Sequence, residues 1–417
     1  MSHRIIFLLI FSFSLRANAL DLTVSEIASR VSQHHPSLKA ARLAIDEAKG
    51  RQLGSGRLSN PTVGVDFQNE SAVSPQALGV SIDQAFPVTG RLRLERKLTS
   101  QLVASAEMEV REVERQLMAK AMSSAVELLA LEQQRELRKR QTKLAEELSK
   151  FAKSRADAGE LSALDAAQAQ VDTQRLLLEA RRIETQRVGL LGGLKPMIGL
   201  KPNDALTITG QLPKPSTAIS GSTWQDRADY QLAKRKLEAA GTDSELAKAR
   251  KWEDVTAGVF AAQERQDVGA NSTENTGFVG FRVSIPLPFW NRNQGEIAEK
   301  NASSTRAQLE VEALETQILA ESETAAQEMD ANAKMISETT DKLLPLVVEQ
   351  TTKLEKAYET GQIDLITLLR AREQRLQLEA ASLDALRDFH LARIRYEAAT
   401  GKIAPVRPSS TTTKDSK

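Results

Sequence analysis

Two matching segments constrain this chain more than any other feature. One reads LGVSIDQAFPVTGR from Leu78 to Arg91, and the other reads GFRVSIPLPFWNRNQGEI from Gly280 to Ile297. Superposing Val80-Ser81-Ile82 on Val283-Ser284-Ile285 also aligns Phe86 with Phe289. In both copies an alternating strand runs into Pro and then Gly or Asn, followed by a very long helical pattern. The likeness extends outward. HPSLKAARLAIDEA from His35 matches RADYQLAKRKLEAA from Arg227, and AGELSALD from Ala158 matches TGQIDLIT from Thr360. The chain is therefore a duplication, each half reading helix, β-hairpin, long helix, Gly turn, helix.

Composition agrees with long packed helices. Hydrophobic residues make up 41% of the 417 positions but aromatic residues only 4%, so the core must be aliphatic, as in helical bundles. Neither Gly nor Pro occurs from Arg91 through Ala158, from Glu296 to Leu344 or from Gln362 to Thr400, and little else interrupts a helix. The 56 basic and 55 acidic residues are interleaved along these helices, the pattern of solvated faces rather than of a nucleic-acid surface.

At the N-terminus, Arg4, the apolar run Ile5 to Leu15 and Ala17-Asn18-Ala19 predict a signal peptide over 1–19, too short for a permanent transmembrane helix. The absence of Cys excludes disulfides, thiolate metal sites and an acylated N-terminal Cys. The predicted order is signal peptide 1–19, first repeat 20–210, second repeat 211–404 and a flexible polar tail 405–417.

Leu20 to Gln33 reads as an amphipathic entry and Pro36 to Arg51 as a helix ended by Gly50, Gly54 and Gly56. Next, Val63, Val65 and Phe67 alternate with Gly64, Asp66 and Gln68, and Leu78, Val80 and Ile82 alternate with Gly79, Ser81 and Asp83. Loops are predicted at Asn69 to Ala77 and at Glu264 to Thr276. In the second half Val255, Ala257 and Val259 precede the run Val279, Phe281, Val283, Ile285, with Phe260 on the face otherwise polar.

Two hairpins with an apolar face outward and Asp66, Asp83 and Arg282 inward match the apolar-out, polar-in alternation of outer-membrane barrels. Four strands cannot close a barrel, so several chains must share one. Asp66, Asp83 and Arg282 are the candidate lumen residues. Trp290 falls where interfacial aromatics are common, and Trp224 and Trp252 are expected either in a periplasmic girdle or near the lower rim of the barrel.

The run from about Leu92 to Ala156 would extend on the order of 100 Å at about 1.5 Å per residue. Leu137, Leu144, Leu148 and Phe151 on it, with Leu164, Val171 and Leu178 on the next helix, predict a coiled-coil hairpin. Leu369, Leu376 and Leu383 carry the same heptad in the second half, where Pro345 is expected to kink or break the ascending helix. Between the halves, ALTITGQLP from Ala205 reads as a short strand or a loop. Gly159 and Gly361 are predicted left-handed turn residues. His34, His35 and His390 lack partners at ligand spacing and read as packed or surface side chains. No nucleophile triad, phosphate loop or HExxH motif is present, so neither enzyme, cofactor nor metal site is expected.

Taken along its length, the sequence resembles the outer-membrane efflux factor family typified by TolC, and SIPLPFWNRNQGEI is most similar to the heavy-metal branch of CzcC and CusC type. That resemblance implies a mainly α fold with a small β part. Three chains would form a twelve-stranded barrel continued by an α-helical tunnel through the periplasm. It implies a periplasmic adaptor docking at the Gly159 and Gly361 tips, and an inner-membrane pump, most like the resistance-nodulation-division type. The function implied is a passive exit duct for heavy-metal cations in the outer membrane. Drugs or secreted polypeptides are alternative cargoes, and a periplasmic coiled-coil adaptor is a reading of another class. In the family a Tyr and an Arg face an Asp at the closed periplasmic end. Tyr358 and Asp165 match the Tyr and the Asp, Ile363 replaces the Arg, and Thr367 and Arg370 occupy the acidic entrance positions. These four are the gate candidates.

Overall fold

The computed structural model describes residues 20–69, 75–216, 224–267 and 273–403. The predicted signal peptide and the whole of the predicted tail lie outside them. The chain is mainly helical with a small β part. A three-residue strand β1 (Leu20–Leu22) leads into α1 (Val24–His34) and α2 (Pro36–Gly54), then β2 (Thr62–Asn69), β3 (Pro75–Phe86), α3 (Arg91–Asp157), α4 (Ala163–Met197) and β4 (Leu206–Ile208). After a 3-10 turn at Trp224–Asp226 come α5 (Ala228–Ala249), β5 (Val255–Asp267), β6 (Thr273–Ser284), α6 (Gln294–Ser337), a π-helical segment Glu338–Leu343, α7 (Leu344–Glu359) and α8 (Leu365–Ala399). The order helix, two strands, long helix, Gly turn, helix thus occurs twice. The strands run further than the alternation indicated. β3 begins at Pro75 and β5 reaches Asp267, taking up much of the two predicted loops.

Two compact units divide the chain, and each draws on both sequence halves: Met1–Lys39, Glu114–Thr223 and Leu319–Lys417 form one, and Ala40–Val113 with Trp224–Ile318 the other.

In the first unit the core is aliphatic. Thr23 caps α1 in a capping box with Glu26, which starts the helix where Ile27 and Val31 can be fully buried. They pack with Met118, Ala121, Leu128, Leu194 and Ile198. β1 pairs in parallel with β4, Leu20 opposite Leu206 and Leu22 opposite Ile208. The entry segment and the Ala205 stretch are therefore partners across a separation that local periodicity does not reveal. A second cluster holds Phe389, fully buried among Met329, Ile336, Ala385 and Ala392.

The helix seam departs from the heptad reading. Leu164, Val171 and Leu178 are 77%, 61% and 64% exposed. α4 instead buries Ala169, Thr173 and Ile183, and the Thr173 hydroxyl donates to the Ala145 carbonyl of α3 at 3.1 Å. Small residues let the helices approach closely, so the larger leucines are rotated outward. Pro345 does not break the helix, because the π-helical turn just before it takes up the mismatch and Pro345 falls in the first turn of α7, where its missing N–H costs nothing.

In the second unit β2, β3, β5 and β6 form one antiparallel sheet in that order. Beneath it Arg91 binds Asp254 at 2.6 Å and Arg250 binds Glu296 at 3.1 Å. Tyr230 is buried with Val311 and Ile318, and its hydroxyl donates to Glu315 at 2.7 Å.

The unequal burial leads to a paired prediction. Phe389→Ala should destabilise the helical unit by about 3–5 kcal/mol, whereas Leu178→Ala should change the stability of the single chain by no more than about 0.5 kcal/mol. Chemical denaturation followed by far-UV circular dichroism measures both.

Candidate functional site: the helix-turn tips and the two-faced sheet

The tips are built by one local design used twice. At the first, the Gly159 N–H donates to the Ala156 carbonyl and the Glu160 N–H to the Arg155 carbonyl at 2.9 Å; at the second, Gly361 donates to Tyr358 and Gln362 to Ala357 at 2.8 Å. This is the Schellman arrangement, and it requires a left-handed residue. Gly159 has φ 76° and Gly361 φ 72°. Three residues on, Ser162 and Asp364 cap the descending helices, accepting from the N–H groups of Leu164 and Thr367. These caps went unnamed in the sequence reading, although a Ser or Asp at a fixed offset after Gly is their signal.

Of the gate candidates, Tyr358 lies edge-on to Phe151 with ring centroids 6.4 Å apart, and Arg155 stands 5.2 Å over the Phe151 ring while pairing with Glu160. Burial pushes the Tyr358 phenol above its ordinary range, opposed by Arg155. Asp165 is half-exposed in the first turn of α4, where the helix dipole favours an acid. Among the described residues no hydrogen bond joins Asp165 to Tyr358. Thr367 donates its N–H to Asp364 at 2.8 Å, and Asp364 is held below the usual carboxylate range by the Thr367 side-chain and backbone hydrogen bonds. Arg370 is exposed. The structure thus brings Tyr358 together with Phe151 and Arg155, and Thr367 with the Asp364 cap.

In the sheet, register decides what meets. Thr62, Asp83, Gly258 and Arg282 form one cross-strand row. Gly258 has no side chain to intervene, and a Cβ there would lie 2.0 Å from Asp83 Oδ1; Arg282 Nε reaches across to that oxygen at 3.9 Å. The next row is Gly64, Ser81, Phe260 and Gly280. Phe260, misplaced by alternation alone, lies on Gly280, whose added Cβ would meet its Cζ at 2.7 Å, and it stacks edge-on to Phe278 at 6.2 Å. Arg282 also sits 5.7 Å over that ring. Asp66 is exposed on the same face, opposite Gly79.

The other face is apolar and uncovered. Val63, Val65, Phe67, Leu78, Val80, Ile82, Val259, Val279, Phe281 and Val283 are all between 46% and 83% exposed. Trp290, just past β6, is 91% exposed. No helix among the described residues is long and apolar enough to cross a membrane. No group of three His, Cys, Asp or Glu side chains able to hold a metal occurs among them. His390 is buried against the Pro213 carbonyl at 2.9 Å, and burial lowers its pKa.

No protein-family model and no curated protein matches the chain. Solved structures do. CusC, crystallised in a study of its folding and transmembrane channel formation, aligns with a TM-score of 0.75 at 14% identity over 93% of both chains. The outer-membrane protein VceC of Vibrio cholerae aligns at 0.72 and 18% identity, over 91% of this chain and 96% of that one. The outer-membrane channel CmeC of Campylobacter jejuni aligns at 0.74 and 13%, over 92% and 87%. This is the fold of outer-membrane channel proteins. The alignments cover 91–93% of this chain, so the fold likeness extends over nearly its whole length.

The tip makes a pH prediction. Because burial favours the neutral Tyr358 phenol, its contribution is fully present below about pH 10 and lost as pH rises through the raised folded value. Thermal unfolding across about pH 8 to 11 should show a smaller alkaline loss in Tyr358→Phe than in the parent chain.

Proposed function

We propose that this chain is the outer-membrane exit duct of a tripartite exporter, a passive conduit and not an enzyme. One observation carries the reading: a sheet whose whole apolar face stands uncovered while its opposite face holds Asp66, Asp83 and Arg282. Such a face in water would expose far more contiguous apolar surface than a soluble monomer tolerates. Strands β3, β5 and β6 have 12, 13 and 12 residues, enough to cross a bilayer when tilted. With β2 and β6 at the two edges, unpaired backbone groups would meet lipid unless further copies completed the barrel. A trimer sharing twelve strands satisfies that requirement, with Asp66, Asp83 and Arg282 toward the lumen.

The helical unit extends the duct into the periplasm. The capped turns at Gly159 and Gly361 are where a periplasmic adaptor would dock, linking the duct to a pump in the inner membrane. Two helical hairpins and a four-stranded sheet in one chain argue against the adaptor reading. Tyr358 and Asp165 at those tips, with Thr367 and Arg370, are proposed to contact neighbouring copies in the closed state. The cargo we favour is heavy-metal cations, on the motif SIPLPFWNRNQGEI, with pumping and selection supplied by the partners.

Two measurements test this. The mature chain extracted from the outer-membrane fraction should have the native mass of a trimer; a soluble periplasmic monomer would overturn the duct. Deletion should raise sensitivity to metal cations. Sensitivity to drugs alone, or loss of a secreted polypeptide from the medium, would reassign the cargo while leaving the duct in place.

A further inference from the structure

A cavity inside the helical unit is lined by a buried side chain whose polar atoms are unsatisfied. The seam of α3 runs Leu137, Gln141, Leu144, Leu148 and Phe151, at steps of four, three, four and three. Gln141 therefore occupies a position where an apolar residue is expected. It is 6% exposed. Neither its Oε1 nor its Nε2 has a hydrogen-bond partner among the described residues.

The cavity has a volume of about 590 Å³ and lies between α3, α4, α7 and α8, all within this unit. Sites for small molecules run from roughly 300 to 1,000 Å³. Contacts between the helices fix what stands level with Gln141. Thr173 of α4 bonds the Ala145 carbonyl at 3.1 Å, which puts Leu176 near the level of Gln141. Gln134 donates to Asp384 at 2.8 Å, and about two turns nearer the tip this pairing brings Leu376 of α8 to the same level. Arg372 donates to Glu355 at 2.8 Å, which adds Thr351 of α7. Gln141, Leu176, Leu376 and Thr351 thus form one layer, and all four line the cavity. Ala380, one turn along α8, also lines it and leaves room that a larger side chain would fill.

The polar groups of this layer specify an occupant. Thr351 is 1% exposed, and its hydroxyl hydrogen is spent on the Val347 carbonyl at 2.7 Å, so its oxygen remains an acceptor. Gln141 supplies a second acceptor, Oε1, and a donor, Nε2. At the margin Arg138 pairs with Glu179 at 2.9 Å, Arg175 with Glu373 at 2.9 Å and Arg372 with Glu355 at 2.8 Å, while Arg140 and Asp172 offset each other in sign. Those charges neutralise one another, and the occupant they suit is neutral.

We infer that this cavity is a binding site for a small neutral molecule carrying a primary carboxamide on an apolar body. The carboxamide oxygen accepts from Gln141 Nε2, one amide hydrogen goes to Gln141 Oε1 and the other to Thr351 Oγ1, and the apolar body lies against Leu144, Leu176 and Leu376. Pairing a buried amide that otherwise has no partner favours such a ligand over a wholly apolar one. Buried polar groups kept for packing alone are ordinarily paired within the protein, and Leu176 and Leu376 at this level offer Gln141 nothing. The site belongs to this unit alone and does not depend on the proposed duct.

Calorimetric titration of the purified full-length chain with 2-naphthamide should show saturable binding at a single site per chain. 2-Acetonaphthone keeps the shape and the carbonyl but has no N–H, and it should bind about tenfold or more weakly. Gln141→Leu should lose binding of the amide, and so should Ala380→Leu, which fills the cavity from α8 and leaves the glutamine in place. Leu178→Ala, on the exposed side of α4, should bind as the parent chain does. Far-UV circular dichroism checks that the variants fold, and the two ligands compared on the parent chain decide the question if one does not. Equal binding of amide and ketone would make the site an apolar crevice and overturn the proposal. The absence of saturable binding, the result expected if water alone satisfies Gln141, would overturn it too, as would full binding in Gln141→Leu.

Discussion

A β-sheet must satisfy its edges and cover its apolar face, and this chain does neither alone. Among the described residues the order β2, β3, β5, β6 leaves both outer strands with an unpaired edge, and no helix covers the exposed Val63 to Phe281 face. Water penalises the face and lipid penalises the edges. The closed barrel shared between copies in a membrane that we propose would remove both penalties. The remaining features of the sheet are consistent with it. Small residues at Gly64, Gly79, Gly258 and Gly280 make room on the polar face for Asp83, Phe260 and Arg282, while the opposite face carries bulky branched and aromatic side chains.

The helices solve a different problem, that of running far without interruption and then reversing sharply. Long stretches free of Gly and Pro supply the first. The second is met twice by the same device, a left-handed Gly closing the last turn and a Ser or Asp cap three residues later. Those turns place Phe151, Tyr358 and Arg155 together at one tip, where an aromatic edge contact and a guanidinium over a ring hold the two hairpins in place. The adaptor docking we propose at these tips would meet a pre-formed surface, which lowers the ordering cost of docking.

Several features were hidden from local reading for definite reasons. Phe260 breaks the alternation because its partner in space is Gly280, and only the strand register brings them together. Leu164, Val171 and Leu178 repeat by seven, yet the period alone does not say which of two faces a helix turns toward its neighbour. Ala169, Thr173 and Ile183 pack closer and win that face within the chain, leaving Leu164, Val171 and Leu178 exposed. The β1–β4 pair unites Leu20–Leu22 with Leu206–Ile208 across most of the first half, beyond the reach of any window.

What the sequence by itself determined was the succession of elements: the doubled hairpins from period-two alternation, the long helices from missing breakers, and the turns from Gly159 and Gly361. These are local choices, made by backbone sterics and side-chain pattern within a few residues. Only the tertiary structure decided which faces are spent inside the chain and which are left open. It bound Arg282 to Asp83 across Gly258, absorbed Pro345 with a π-helical turn, and turned the α4 leucines outward. Those outcomes depend on competition between packing partners far apart in sequence, and that competition is settled only when the elements meet.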